Sequence, residues 1–568
     1  MLPMSLVLAS CVKAPPVAPA PVELSAIEVN KPPLDDRAYR LIELDNGLRA
    51  VLISDDDTDM AAAALDVHVG QFTDPADREG LAHFLEHMLF MGTEKYPDVD
   101  GYRDFVQSHG GGSNAGTSQE HTTYFFDIEH AHLEEALDRF AQFFIAPVLD
   151  PEYVQREREA VNSEYELKVQ DEVRRFREVR RQTTNPEHGF SQFSVGNLDT
   201  LADREGRPVW DDLRAFYDAE YSASRMVVSV IGREDLDTLE GWVRDRFSQV
   251  PSNGKPAPAQ TVAPYTADQL GVRVNVIPVA DERYLQMEFP VPSEWRHFGE
   301  HPLGLLSSLV GQEGEGSPHA VLSAKGWITS LSAGQDGTED HSILKVRLAL
   351  TEDGFAHVDD VVGVIFQYLR VLQAADDLSP WWDQQRSIAK LNFQFAEAPA
   401  PSSAVRRAVS TLQIYPPENV LDAWATYTAY DPELEREYLD ALVPSNLRLF
   451  VAGPGLETDQ EEPRYSVPWG IQPLDPAVME SWTTAEIHPD LRLPDTNPYI
   501  AEDTSLEPLE GEVGIPTKLV DDDRLVIWHL LDPSFEVPRS TSAVTLDAGG
   551  HGQPRRPRER APVHRPRR

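Results

Sequence analysis

Residues 81–92 read LAHFLEHMLFMG, and two histidines and a glutamate stand in a stretch that is otherwise apolar. Positions three and four apart share a helix face, so a helix here points His83, Glu86 and His87 the same way. Leu81, Leu85, Met88 and Leu89 fill much of the remaining circumference, which predicts a buried helix. It is expected to run on to Gly92, a residue suited to closing a helix. An unpaired buried carboxylate is costly, and a divalent metal ion is a natural partner. Two imidazoles at i and i+4 can reach one zinc ion, and an adjacent carboxylate can activate its water. A single pentapeptide of this form also arises by chance, so a third ligand decides the reading.

A candidate follows in the stretch REREAVNSEYE, where Pro151 and Asp150 mark the start of a long helix. Glu157 and Glu164 lie seven residues apart, two turns along one face, with Val161 between them. Crossing the His83 helix, that face could supply a carboxylate. The neighbouring Arg156, Arg158 and Lys168 are equally consistent with a solvated charged helix, and spacing alone leaves both readings open.

Working outward, the runs Tyr39–Leu44 and Leu48–Ile53 flank Asn46-Gly47, a hairpin signal. Residues 61–69, 121–128 and 224–231 read as strands, and 133–145 and 236–247 as amphipathic helices. Gly110–Ser113 reads as a glycine-rich turn ahead of Asn114 and Ala115. After a Pro-rich linker at 251–264, the order of apolar helix, glycine-containing turn, extended stretch and strand recurs. SHGGGSNAGTS at 108 aligns without gaps on AKGWITSLSAG at 324, which suggests a diverged internal repeat. In the second copy Gly304, Ser307 and Ser308 fall where His83, Glu86 and His87 stand in the first, so it is expected to hold no metal.

The chain has 568 residues, too many for one core, and a formal net charge of −44, which disfavours nucleic acid as a partner. The last eighteen residues depart from this, with seven Arg and one Glu, so the remainder carries about −50 (−44 minus +6). They read as a basic low-complexity tail, either an anchor or the product of a shifted reading frame. One cysteine, Cys11, excludes an intramolecular disulfide. It follows Leu8-Ala9-Ser10 and precedes a Pro/Ala tether, a pattern similar to a bacterial lipoprotein signal, although the basic start of such a signal is missing. A periplasmic protein of the bacterial cell envelope, lipid-anchored through Cys11, is the expectation.

HFLEHMLFMGTEKYP, SNAGTSQEHTTYFFD, LDRFAQFF and EREAVNSEYE, in that order, resemble the pitrilysin and insulin-degrading enzyme family of inverzincin zinc metallopeptidases. The resemblance covers about residues 37–500 and is densest in the first domain. It implies one zinc per chain held by His83, His87 and Glu164, with Glu86 as general base and Glu157 as a carboxylate behind the ligands. It implies that Asn114 and Ala115 belong to an edge strand that pairs with an extended peptide. Long members of the family close two such halves around the substrate, and the second half supplies Arg and Tyr residues near the scissile carbonyl. No position here takes those roles.

The expected fold class is α+β, with two homologous-looking domains, each a mixed sheet packed with helices, plus a fragment of a third. The expected segments are a lipoprotein-like signal and tether (1–36), a zinc-binding peptidase domain (37–250) and a second, inactive-type domain (265–485). A linker with the start of a third domain (486–550) and the basic tail (551–568) complete the chain. The expected function is zinc-dependent endopeptidase action on extended or unfolded peptides. The alternative is a peptide-binding or split-enzyme half that works with a separately encoded C-terminal half.

Overall fold

The computed structural model describes residues 23–506, 515–521 and 525–530. Cys11 and the basic tail lie outside the described residues. The chain divides into two units, at Ile500 and Ala501.

The first unit begins with β1 (Ala38–Glu43), β2 (Arg49–Ser54) and β3 (Met60–Val67). Then come α1 (Leu81–Met88), α2 (Gly101–Ser108), β4 (Gly112–Thr117), β5 (Thr122–Glu129), α3 (Leu133–Ile145), α4 (Pro151–Leu167), α5 (Glu172–Gln182), α6 (Val209–Glu220), β6 (Met226–Gly232) and α7 (Leu236–Phe247). A second run follows with β7 (Val272–Val276), β8 (Tyr284–Pro292), α8 (Pro302–Gly311), α9 (Pro318–Ala324), β9 (Ile328–Gly337) and β10 (His341–Leu350). It continues through α10 (Glu352–Ala356), α11 (Val358–Gln373), α12 (Ser379–Gln394), α13 (Pro401–Ile414), α14 (Pro432–Asp440), β11 (Arg448–Ala452), β12 (Gln460–Glu462), β13 (Val467–Pro473) and α15 (Pro476–Thr484). The fold class is α+β with several domains, as the sequence predicts.

Two sheets form, ordered β1-β2-β6-β3-β5-β4 and β12-β13-β7-β11-β8-β10-β9. Substituting β13 for β1, β7 for β2, β11 for β6, β8 for β3, β10 for β5 and β9 for β4 turns the first order into the second, which adds β12 at its edge. The senses agree too: β2 and β6 are parallel, as are β7 and β11, and the other equivalent pairs are antiparallel. Side chains on a strand alternate between faces. On β2, Ala50 and Leu52 face the main core, while Val51 and Ile53 face a second one. On β3, Ala61, Ala63 and Leu65 take the first face, and Ala62 and Ala64 the second. A sheet buried on both faces requires these continuous apolar runs.

The cover on that second face is exchanged between the repeats. α13, from the second repeat, lays Val405, Val409 and Leu412 on β2, β3 and β6. α5, from the first, packs Val179 and Phe176 with Val272, Val274 and Phe450 on the second sheet. Each is the helix that follows the long helix of its own repeat.

Two local expectations are corrected. α1 ends at Met88 rather than Gly92, because Leu89 and Phe90 continue only as a turn and Gly92 adopts a left-handed φ of +93° further on. The stretch read as a turn before Asn114 is already strand from Gly112, because the ladder to Asp127 starts there. In the second unit, Thr517–Asp521 and Val526–His529 pair as an antiparallel hairpin. No helix among the described residues is long and apolar enough to cross a membrane.

Candidate metal centre

α1 is set up by two features. Gly80 precedes it at φ +86°, and a Cβ there would come within 2.3 Å of the Gly196 backbone, so only glycine fits. Asp74 accepts the amides of Gly80 and Ala82, both at 2.7 Å, and supplies the acceptor that the helix start lacks. Burial pushes the Asp74 carboxyl up to about 8, against those two hydrogen bonds. α4 crosses α1 with Val154, Glu157, Val161 and Glu164 along one stripe, and Asp150 caps it through the Glu152 amide.

That crossing brings His83, His87 and Glu164 together. His83 Nε2 lies 3.6 Å from Glu164 Oε2, and His87 Nε2 lies 3.6 Å from Glu164 Oε1. Tetrahedral zinc with bonds of about 2.0–2.1 Å spaces its ligands about 3.3 Å apart, so the donors stand close to the separation an ion requires. Each imidazole is oriented from behind. His83 Nδ1–H donates to the Val195 carbonyl at 2.6 Å, which leaves the Nε2 lone pair facing Glu164. His87 Nδ1 lies 3.5 Å from Glu157 Oε2, and Arg156 Nε donates to Glu157 Oε1 at 2.9 Å.

Burial lowers the His83 pKa, against the charge of Glu86. Burial also opposes protonation of His87, but its bond to Glu157 and the charges of Glu164 and Glu86 outweigh it, and its pKa is raised. Glu157 is driven down by His87 and Arg156 in spite of burial. Glu86 is buried, and Thr117 Oγ1 on β4 donates to its Oε2 at 2.5 Å. Two imidazole nitrogens and one carboxylate, with a second carboxylate alongside, fit a zinc site.

His83, Glu86, His87, Glu157 and Glu164 line a cleft of about 430 Å³, together with Asn114 and Ala115 on β4. β4 stands at the end of its sheet and pairs on one side only, with β5. Asn114 is exposed and Ala115 half-buried. Val195, Thr117, Asp74 and Gly80 were not singled out from the sequence. A glycine just ahead of the apolar run was the available sign for Gly80. The other three act through backbone or over long separations and leave no spacing to read.

In the second repeat α8 takes the place of α1. Ser308 Oγ accepts from Gln385 on α12 at 2.8 Å, so a neutral bond stands where His87 meets Glu164. A second group, His188, Asp340 and His341, also gathers donors. His188 Nδ1 accepts the Phe190 amide at 3.0 Å, so its proton is on Nε2, which faces Asp340 Oδ2 at 3.2 Å. That ring has no free lone pair for an ion, and the group is a hydrogen-bonded link between the repeats.

Three family models match the chain in order. Insulinase (peptidase family M16) matches residues 49–188, the peptidase M16 inactive domain 210–381, and the middle or third domain of peptidase M16 393–549. The chain belongs to peptidase family M16. The A-factor-processing enzyme of Saccharomyces cerevisiae is 37% identical over 516 residues, 90% of this chain and 50% of its own length. Human insulin-degrading enzyme is 36% identical over 519 residues, 90% of this chain and 51% of its own. The crystal structure of pitrilysin superposes with a TM-score of 0.84 at 31% identity, covering 89% of this chain and 54% of pitrilysin. The chain therefore spans about half the length of these M16 relatives.

Proposed function

We propose that the chain is a zinc-dependent endopeptidase that cuts extended peptides laid along β4. The observation that carries this is the convergence of His83, His87 and Glu164, with Glu86 beside them, in a cleft bordered by an unpaired strand edge. Zinc bound by those three side chains would polarise the scissile carbonyl and acidify a water. Glu86 takes the proton of the attacking water and returns it to the leaving amine. Thr117 holds one oxygen of Glu86, which leaves the other to work. Glu157 fixes the ring of His87. Asn114 and Ala115 offer backbone groups to the substrate, so side-chain demands are weak and unfolded peptides are favoured.

Glu86→Gln keeps shape and hydrogen-bonding reach but cannot take a proton. It is expected to retain zinc and lose about 10²–10⁴-fold in hydrolysis of a quenched fluorescent peptide. His87→Ala is expected to lose the metal itself in elemental analysis. Undiminished cleavage by zinc-loaded Glu86→Gln, or equal zinc in His87→Ala and wild type, would reject the assignment. The relatives' greater length favours a second reading, a half that binds peptides and needs a separate C-terminal half to turn over. Cleavage that appears only when such a half is added would support it.

A further inference from the structure

α5 has two faces with different duties. Phe176 and Val179 pack on the second sheet, and Arg180 Nε meets the buried Glu288 at 2.6 Å. Arg174 and Arg177, three residues apart, line the metal cleft instead, and Arg103 on α2 lines it too. Among the described residues, none of these three guanidinium groups forms an ion pair. That is unexpected in a chain with 94 acidic and 50 basic residues.

The nearby acids are already engaged. Asp171 caps α5 through the Arg174 amide, Glu172 takes the amides of Val279 and Ala280 at 2.6 and 2.7 Å, and Glu178 holds Arg181 at 2.9 Å. Inside the cleft, Glu157 is bound by Arg156 and His87, Glu86 by Thr117, and Glu164 faces His83 and His87. The cleft wall therefore carries three positive charges with no carboxylate of the chain committed to them. Guanidinium groups match carboxylates in shape as well as in charge.

We propose that Arg103, Arg174 and Arg177 receive a carboxylate of the bound peptide, and so select acidic peptides from among those that β4 would accept. This rests on the peptidase reading. The carboxylate could be an Asp or Glu side chain or a free C-terminus, and the test separates the two.

The test uses the full chain as zinc-loaded Glu86→Gln, so that nothing is cut, and fluorescence anisotropy of a short labelled peptide with a single Glu stepped through its positions. Gln counterparts and C-terminal amides serve as partners. At one or two positions Glu is expected to bind about five- to tenfold more tightly than Gln, as for a few partly exposed ion pairs. The gain is expected to shrink as salt is raised and to vanish in Arg174→Ala/Arg177→Ala. Arg103→Ala, on a separate element, is expected to weaken it independently. Charge reversal, Arg174→Glu/Arg177→Glu, should favour a Lys peptide. A gain that survives amidation assigns the site to side chains, and one lost on amidation assigns it to C-termini. Equal binding of Glu, Gln and amidated peptides overturns the inference and leaves the peptidase reading intact. Failure of every peptide to bind overturns both.

Discussion

At the scale of single residues, the shared faces of the candidate ligands were legible because helical spacing is a local property, whereas the choice of Glu164 as the third came from the family resemblance. His83 and His87 are four apart, and Glu157 and Glu164 seven, and each pair stayed on one face. What supports them was not legible, since the Val195 carbonyl reaches His83 across 112 residues of chain. Glu157 tests that support. Glu157→Gln keeps the size but weakens the hold on His87, and zinc affinity is expected to fall about 10–100-fold in a competitive chelator titration, the usual cost of losing such a partner. An unchanged affinity would remove Glu157 from the centre. A second prediction concerns pH. The ring of His68 stacks on His121 with centroids 4.3 Å apart, and burial, with His121, Arg49 and Arg225 nearby, pushes its pKa down to about 3. The unfolded chain binds a proton at His68 near 6.5 and the folded chain does not, so stability rises with pH between about 3 and 6.5. That contribution is present above 6.5 and lost on acidification, with a slope of up to about 1.4 kcal/mol per pH unit. His68→Gln cannot charge, so its urea midpoint should fall less than that of wild type on acidification from pH 6.5. Parallel profiles would show that His68 titrates normally.

At the scale of elements, most helices and strands of the first repeat could be read from period and punctuation. α3 and α7 match their expected bounds at Leu133–Ile145 and Leu236–Phe247. The apolar runs of β2 and β3 announced burial on both faces, but nothing local said which helix would cover the second face. The answer, α13, lies more than three hundred residues away in sequence. Leu412 on α13 is fully buried in that contact. Leu412→Ala is therefore expected to cost about 2–5 kcal/mol in urea unfolding, a core-cavity value, while leaving zinc content at one equivalent. A change below about 0.5 kcal/mol, the range of neutral surface substitutions, would show that α13 only rests on the sheet.

At the scale of the whole molecule, the two repeats hold each other. Chains of several domains commonly unfold in steps, because each domain keeps its own core. Here each repeat also lends a helix to the other, and the joint is charged. Arg180 and Arg448 converge on Glu288, which is fully buried, and Arg448 also donates to the Thr183 carbonyl at 2.9 Å. Opening one repeat would strip α5 or α13 from the other sheet, and loss of α5 would also take Arg180 from the buried Glu288 and the Thr183 carbonyl from Arg448. Neither repeat has a favourable way to unfold first. Residues up to Ile500 are accordingly expected to unfold in urea as one transition, with tryptophan fluorescence, far-UV circular dichroism and zinc release sharing a midpoint. The tryptophans suit the test, since Trp210 lies in the first repeat and Trp382 and Trp482 are buried in the second. Zinc release reports the first repeat alone, because the proposed ligands all lie on α1 and α4. Zinc lost at a lower urea concentration than the fluorescence change, with the second repeat still folded, would mean that the exchanged helices do not couple the two.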